Sequence, residues 1–278
     1  LGDPKDIQAR LALFGWMHDE LGLERAGAEF IFFKPEQIAE PQRIARQIRD
    51  FRQSLKDKGF SDLLFSIHAP WSPWQEANFD EDNNHHKLLA KLMEALAGQV
   101  DLLTAHLASD LPIDRARPLY PEDRAERLAK VAAKLDFLAP YCPILSVEHT
   151  VNPVPPRLAD RANHIGVFPI DFLTILQTAK TPNIRFTLDL CHALITIDTC
   201  RQIVSGQKKL EEIVGFYPEQ QAEIHALATA GLKHYNVLSR WLAHLHIADR
   251  KGLFHGIVPG QGDSSLPEFR EAFRTCLK

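Results

Sequence analysis

The chain has 278 residues, 45% hydrophobic and 24% charged, with a formal net charge of −4. This composition excludes a disordered chain, and the length is enough to bury a large core without staples. The acidic balance excludes the global basic field of a nucleic-acid binder, and no run reaches the roughly 18 apolar residues needed to span a bilayer.

In chain order, the apolar stripe from Ile7 to Leu21 reads as a helix. Residues 28–33 then read as a strand. Ile44, Ile48, Phe51 and Leu55, spaced by four, three and four, mark the next helix. Residues 63–68 form a second strand, and Leu88, Leu89, Leu92, Met93 and Leu96 a second helical stripe. Residues 101–106 and 144–148 are strands flanking the stripe of Leu128, Val131, Leu135 and Leu138. Phe172, Ile175 and Leu176 begin a further helix before the strand at 184–190. An inserted helix near 208–222 and a stripe with Ile224 and Leu227 precede the last strand, 242–247. The strands are nearly continuous in apolar residues, as strands buried on both faces are. Loop 69–84 is long and ends in the polar run Asp80-Glu81-Asp82-Asn83-Asn84, and Asn152-Pro153-Val154-Pro155-Pro156 reads as a stiff loop.

Strand alternating with helix implies a parallel sheet, either an open doubly wound sheet or a closed (β/α)8 barrel. No GxGxxG or GxxxxGK[ST] opens a helix after a first strand, which weakens the nucleotide-binding open sheet. The expectation is a single α/β domain over residues 1–278. It is a (β/α)8 TIM barrel whose first and last strands are missing from this chain, cut at both ends. Four cysteines at 142, 191, 200 and 276 form no CxxC pair, which points to a reducing, cytoplasmic setting.

The chain carries 13 histidines, and ionisable residues recur where strands end. His68, His106, Glu148, Asp189 and His246 close five consecutive strands, with steps of 38, 42, 41 and 57 residues. A single strand-end His is usually structural, and an Asp there commonly caps a helix. In a barrel, however, all five ends point to one face, and His and carboxylate side chains converging there make a divalent-metal site. A dication also offsets the repulsion of two neighbouring carboxylates. His192, three residues past Asp189, folds back over the same mouth and binds metal or a substrate hydroxyl. Arg250 and His255 flank a Gly-rich loop, residues 255–263, and are substrate-binding candidates; a solvated surface pair is the competing reading of Arg250 and Lys251. His85 and His86 open a helix and are expected to face solvent. His244 sits one layer below His246, and His149 points away from Glu148.

Ser66-Ile67-His68-Ala69-Pro70-Trp71, Ala105-His106, Val147-Glu148, Leu188-Asp189-Leu190-Cys191-His192 and Leu245-His246-Ile247-Ala248-Asp249 together resemble the xylose-isomerase-like TIM barrel superfamily, over about residues 28–265. Sugar isomerases, epimerases and the endonuclease IV repair enzymes belong to it. The resemblance implies that Glu148, Asp189 and His246 bind a catalytic divalent metal (Mn, Zn, Co or Mg), with a fourth ligand, a Glu, on a last strand. His68 and His106 match second-metal ligands of the repair enzymes, and His192 a substrate contact of the epimerases. The chain departs from the repair enzymes where they carry Asp-x-His before the Gly-x-Gly loop, since Phe254 and Gly256 stand there. It also departs from the wider family in ending before the strand of the fourth ligand.

Three functions compete. The first is a metal-dependent isomerase or epimerase of a small sugar, sugar phosphate or polyol, working through an enediolate with Glu148 as ligand and base and His192 orienting substrate oxygens. The second is a zinc phosphodiesterase for abasic DNA, which the acidic charge and the missing Asp-x-His pair disfavour. The third is a non-catalytic binding protein on a degenerate barrel. The first implies a small carbohydrate partner, neither membrane nor nucleic acid, and admits a homo-oligomer.

Overall fold

The computed structural model describes residues 4–22, 25–70, 77–107, 111–112, 121–151, 161–162, 165–213, 215–251 and 254–257, and residues 261–262, 264, 267, 270 and 274 beyond them. Six parallel strands form one sheet: β1 (Arg25–Ile31), β2 (Asp62–His68), β3 (Leu102–His106), β4 (Leu145–Glu148), β5 (Ile184–Asp189) and β6 (Leu242–His246). Their order across the sheet is their order in the chain. A doubly wound sheet reverses that order at a switch point, so the open-sheet alternative fails and the sheet is a curled part of a (β/α)8 barrel.

The helices are α1 (Pro4–Leu21), α2 (Pro41–Lys56), α3 (His85–Ala95), α4 (Pro121–Leu138), α5 (Pro169–Thr178), α6 (Leu190–Val204) and α7 (Gln221–Ala230). Each expected stripe lies on one of them, and the stripe residues Ile44, Ile48, Leu89, Leu92, Val131, Leu135, Phe172 and Ile175 are almost fully buried. They pack on the outer face of the sheet, where Phe30, Phe65, Ile67, Leu103, Ala105, Val147, Phe186 and Leu188 are also buried. Burying each such large side chain contributes about 1.5–3 kcal/mol. Phe30, Phe51 and Phe65 close the α2 end as an aromatic cluster, with centroids 5.5–6.0 Å apart.

The inner face differs from the expectation of strands apolar on both sides. Strand residues alternate between faces, so the residues two before each strand-end group share its side. These are Ser66, Thr104, Ser146, Thr187 and His244, a polar layer. Within it the hydroxyls of Ser146 and Thr187 lie 2.5 Å apart on adjacent strands.

Other local readings are corrected. Leu190 does not extend β5 but opens α6, because the Asp189 carboxylate accepts the backbone N–H of His192 and caps a helix there. The stretch near 208–222 holds 3-10 turns at Leu210–Glu212 and Pro218–Gln220 in place of the expected helix. His85 does not face solvent: it is 4% exposed, with its ring against Phe79. The acidic loop is tied down on α4, with Asp80 2.7 Å from Arg127 and Asp82 2.6 Å from Lys130. Two small antiparallel pairs were not foreseen, Leu111–Pro112 with Arg161–Ala162, and β7 (Asp249–Lys251) with β8 (Phe254–Ile257). The Pro-rich stretch 152–156, Trp71, residues 258–260 and 263 of the Gly-rich loop and most of residues 266–278 lie outside the described residues.

Two predictions follow from this packing. Gly27 on β1 faces the Leu64 carbonyl of β2, and a Cβ built there would sit 2.8 Å from that oxygen. Gly27→Ala is therefore expected to part the two strands and cost about 1–3 kcal/mol, read as a lower urea midpoint at unchanged slope. The second concerns acid. Burial, with the nearby cations His86 and Lys134, pushes the pKa of His85 down to about 3; neither of its ring nitrogens has a hydrogen-bond partner among the described residues. Burial and His192 push His149 down to about 3 as well. The unfolded chain takes up both protons near pH 6.5, so from there downward it binds more protons than the fold. His68 and His246, both raised, add no slope in that window because both states carry their protons. Melting temperature should fall as pH drops below about 6.5, with a slope of up to about 1.4 kcal/mol per pH unit for each histidine. His85→Leu should flatten it in melts between pH 7.5 and 4.5.

Candidate metal centre at the strand ends

The five strand-end residues do converge. At the centre is Glu148, 1% exposed at the end of β4. One carboxylate oxygen lies 2.8 Å from Nε2 of His68 and 3.2 Å from Nε2 of His106. The other lies 2.7 Å from Nδ1 of His246. Register explains the convergence, since β3 and β4 place His106 opposite Glu148, and β5 and β6 place Asp189 opposite His246. The rings pack together as well. His68 and His106 meet edge to face at 5.1 Å, and His68 stacks on His246 at 5.9 Å.

Asp189 satisfies both of its readings. One oxygen caps α6, while Oδ2 faces the centre, 3.9 Å from Nδ1 of His246. His192, in the first turn of α6, folds back as expected. Its Nδ1 donates to the His149 carbonyl at 2.8 Å, which fixes the orientation of the ring. His149 itself is buried behind the site, with Nε2 2.6 Å from the Val167 carbonyl and 2.8 Å from the Tyr235 hydroxyl.

The electrostatics follow from a carboxylate enclosed by imidazoles. Burial works to raise the Glu148 pKa, but His106, His246 and His68 hold it well below the ordinary carboxylate range. Burial alone would lower His246; Glu148 and Glu29 push it up to about 11. Burial lowers the pKa of His106 in spite of Glu148 beside it.

Two further substrate-binding candidates stand beside the Gly-rich loop. Arg250, at 9% exposure, is not a solvated surface residue: its guanidinium pairs with Asp198 on α6. His255 lies on β8, in register with Arg250, and its side chain is outside the described residues. One residue beside the centre was not foreseen. Glu29 on β1 lies 3.3 Å from Nε2 of His246 and 3.8 Å from Nε2 of His244. Its signal in the sequence is a lone carboxylate within an apolar strand, which is costly unless paired.

The donor chemistry fits a divalent cation. Ligand atoms of Glu148, Asp189 and His192 lie within 4.8 Å of one another, and so do those of His68, Glu148 and His246. Mixed imidazole and carboxylate donors suit zinc, manganese or cobalt. Among the described residues no helix is long and apolar enough to cross a membrane.

No curated protein matches the chain in sequence. Among solved structures, the chain is similar to a D-allulose 3-epimerase from Methylomonas sp. in complex with D-allulose. The identity is 15% and the TM-score 0.57, over 99% of this chain and 76% of that one. It is similar to a 3-keto-D-glucoside 4-epimerase from E. coli at 16% identity and TM-score 0.52, over 92% and 88% of the two chains. It is also similar to a probable 3-DHS dehydratase from Bacillus anthracis at 15% identity and TM-score 0.54, over 99% and 84%. Residues 22–275 match the xylose isomerase-like TIM barrel family, and the chain belongs to that family.

Proposed function

We propose that this protein is a divalent-metal-dependent isomerase or epimerase of a small sugar, sugar phosphate or polyol. The observation that carries the reading is Glu148, a buried carboxylate that meets His68, His106 and His246 at the strand ends beside Asp189. The sugar epimerases among the structural neighbours support it.

Glu148, Asp189 and His246 would hold the cation, which supplies Lewis-acid polarisation of a carbonyl and the adjacent hydroxyl oxygen. The chain's own groups do the rest. Glu148 takes the proton from the carbon beside the carbonyl, leaving an enediolate. For epimerisation, water supplies a proton to that carbon from the opposite face while Glu148 releases its own to solvent; return of the Glu148 proton to the neighbouring carbon gives the isomer. His192, whose Nδ1 is held by the His149 carbonyl, hydrogen-bonds a sugar hydroxyl through Nε2 and orients it. His68 and His106 hold the Glu148 carboxylate in place; by the family resemblance they are also candidates for a second cation.

The reading is tested by incubating the protein with manganese, cobalt, magnesium or zinc and a panel of ketoses in D2O, then following deuterium at the carbon beside the carbonyl. Metal-dependent exchange is expected; no bound metal and no exchange with any cation would refute it. Glu148→Gln should lower kcat/KM by about 10²–10⁴-fold with unchanged far-UV circular dichroism. Asp189→Asn should weaken metal binding while preserving the α6 cap, because Asn also caps helices; Asp189→Ala should lose about 1 kcal/mol of stability in addition.

A further inference from the structure

We propose that Glu29 is a positioning residue that orients His246 toward the metal centre from across the sheet. This rests on the reading that Glu148, Asp189 and His246 hold the cation. β1 and β6 are the two edges of the six-stranded sheet, so among the described residues His246 has a hydrogen-bonded neighbour strand on one side only. From the other side comes Glu29, 217 positions away in the chain, its carboxylate 3.3 Å from Nε2 of His246. The opposite ring nitrogen, Nδ1, faces Glu148 at 2.7 Å and Asp189 at 3.9 Å. A neutral imidazole has one N–H and one lone pair. With Glu29 accepting from Nε2–H, the lone pair is on Nδ1, directed between the two carboxylates. A metal-binding histidine is commonly oriented this way, by a carboxylate on its second nitrogen.

Glu29 is itself held. Ser66 lies opposite it in the β1–β2 register, and the Ser66 hydroxyl donates to the Glu29 carboxylate at 3.4 Å. With His68 stacked on its face, the His246 ring is fixed on three sides. A rival arrangement would make Glu29, His244 and His246 a cation site of their own, as their ligand atoms also lie within 4.8 Å of one another. The distances favour the positioning role: Glu29 is closer to His246 than to His244, whose nearest approach is 3.8 Å. The two arrangements also exclude one another, because a neutral His246 cannot lend a lone pair on both sides.

The test uses cobalt(II) on the full chain, titrated in competition with a chromogenic chelator. Glu29→Ala should weaken binding at the Glu148 centre about 10–100-fold at unchanged stoichiometry. Glu29→Gln, whose amide oxygen still accepts from Nε2–H, should fall between Glu29→Ala and the native protein, and His244→Ala should bind as the native protein does. The metal-free protein gives a second readout, in which ¹⁵N-resolved NMR should show a hydrogen-bonded proton on Nε2 of His246 that is lost in Glu29→Ala. Native affinity in Glu29→Ala would overturn the proposal, as would a second equivalent of cobalt that depends on both Glu29 and His244, or the absence of the bonded Nε2 proton from the native protein. Failure of the metal-centre reading shows itself separately, as cobalt binding that survives Glu148→Gln.

Discussion

The candidate site is organised around one buried carboxylate. Glu148 is almost wholly removed from water, and an isolated charge in such a place costs several kcal/mol. It is tolerated because three strands deliver three imidazoles to its two oxygens. Removing any one of those partners leaves the charge less compensated. A dication bound among the same groups would take over the role that the imidazole protons play in the metal-free protein.

The sheet provides this arrangement by keeping its two faces distinct. Outward, Phe30, Phe65, Val147, Phe186 and Leu188 pack on the helices and hold the strands rigid. Inward, Ser66, Thr104, Ser146 and Thr187 give a layer of small polar side chains below the ionisable ones. Small groups there leave room for the larger rings above, and the Ser146–Thr187 contact ties neighbouring strands beneath the site. Chemistry placed at strand ends over a packed scaffold is held more precisely than chemistry placed on loops.

The groups at the centre are held from behind by their neighbours. Asp189 uses one oxygen to start α6 and the other to face the site, so the helix and the candidate metal centre share a residue. The first turn of that helix presents His192, whose ring the His149 carbonyl fixes. His149 is anchored in turn by Tyr235 and the Val167 carbonyl. The chain from Tyr235 to His192 thus spans the segments either side of α6, and it couples the orientation of a candidate substrate contact to core packing.

Much of this was legible from the amino-acid sequence, for a physical reason. Parallel strands in βα units all end on one side, so a periodic recurrence of His, His, Glu, Asp and His at strand ends encodes a cluster before any coordinates are known. Helix stripes such as Ile44, Ile48, Phe51 and Leu55 are local patterns and were read correctly for the same reason. What failed depended on long-range contacts. His85 looked like a solvent-facing helix start because its burial against Phe79 comes from a loop folding back. The solvated-surface reading of Arg250 failed because its partner Asp198 lies 52 positions away. Leu190 looked like strand because it continues the apolar run past Asp189, whose two readings, strand-end ligand and helix cap, only the fold shows to hold together. Glu29 passed unnoticed within residues 28–33 because its partner His246 comes from the opposite edge of the sheet. By itself the sequence determined which residues stand at the strand ends. Only the tertiary structure decided which ring nitrogen faces which carboxylate, since that depends on the curl of the sheet bringing its first and last strands together.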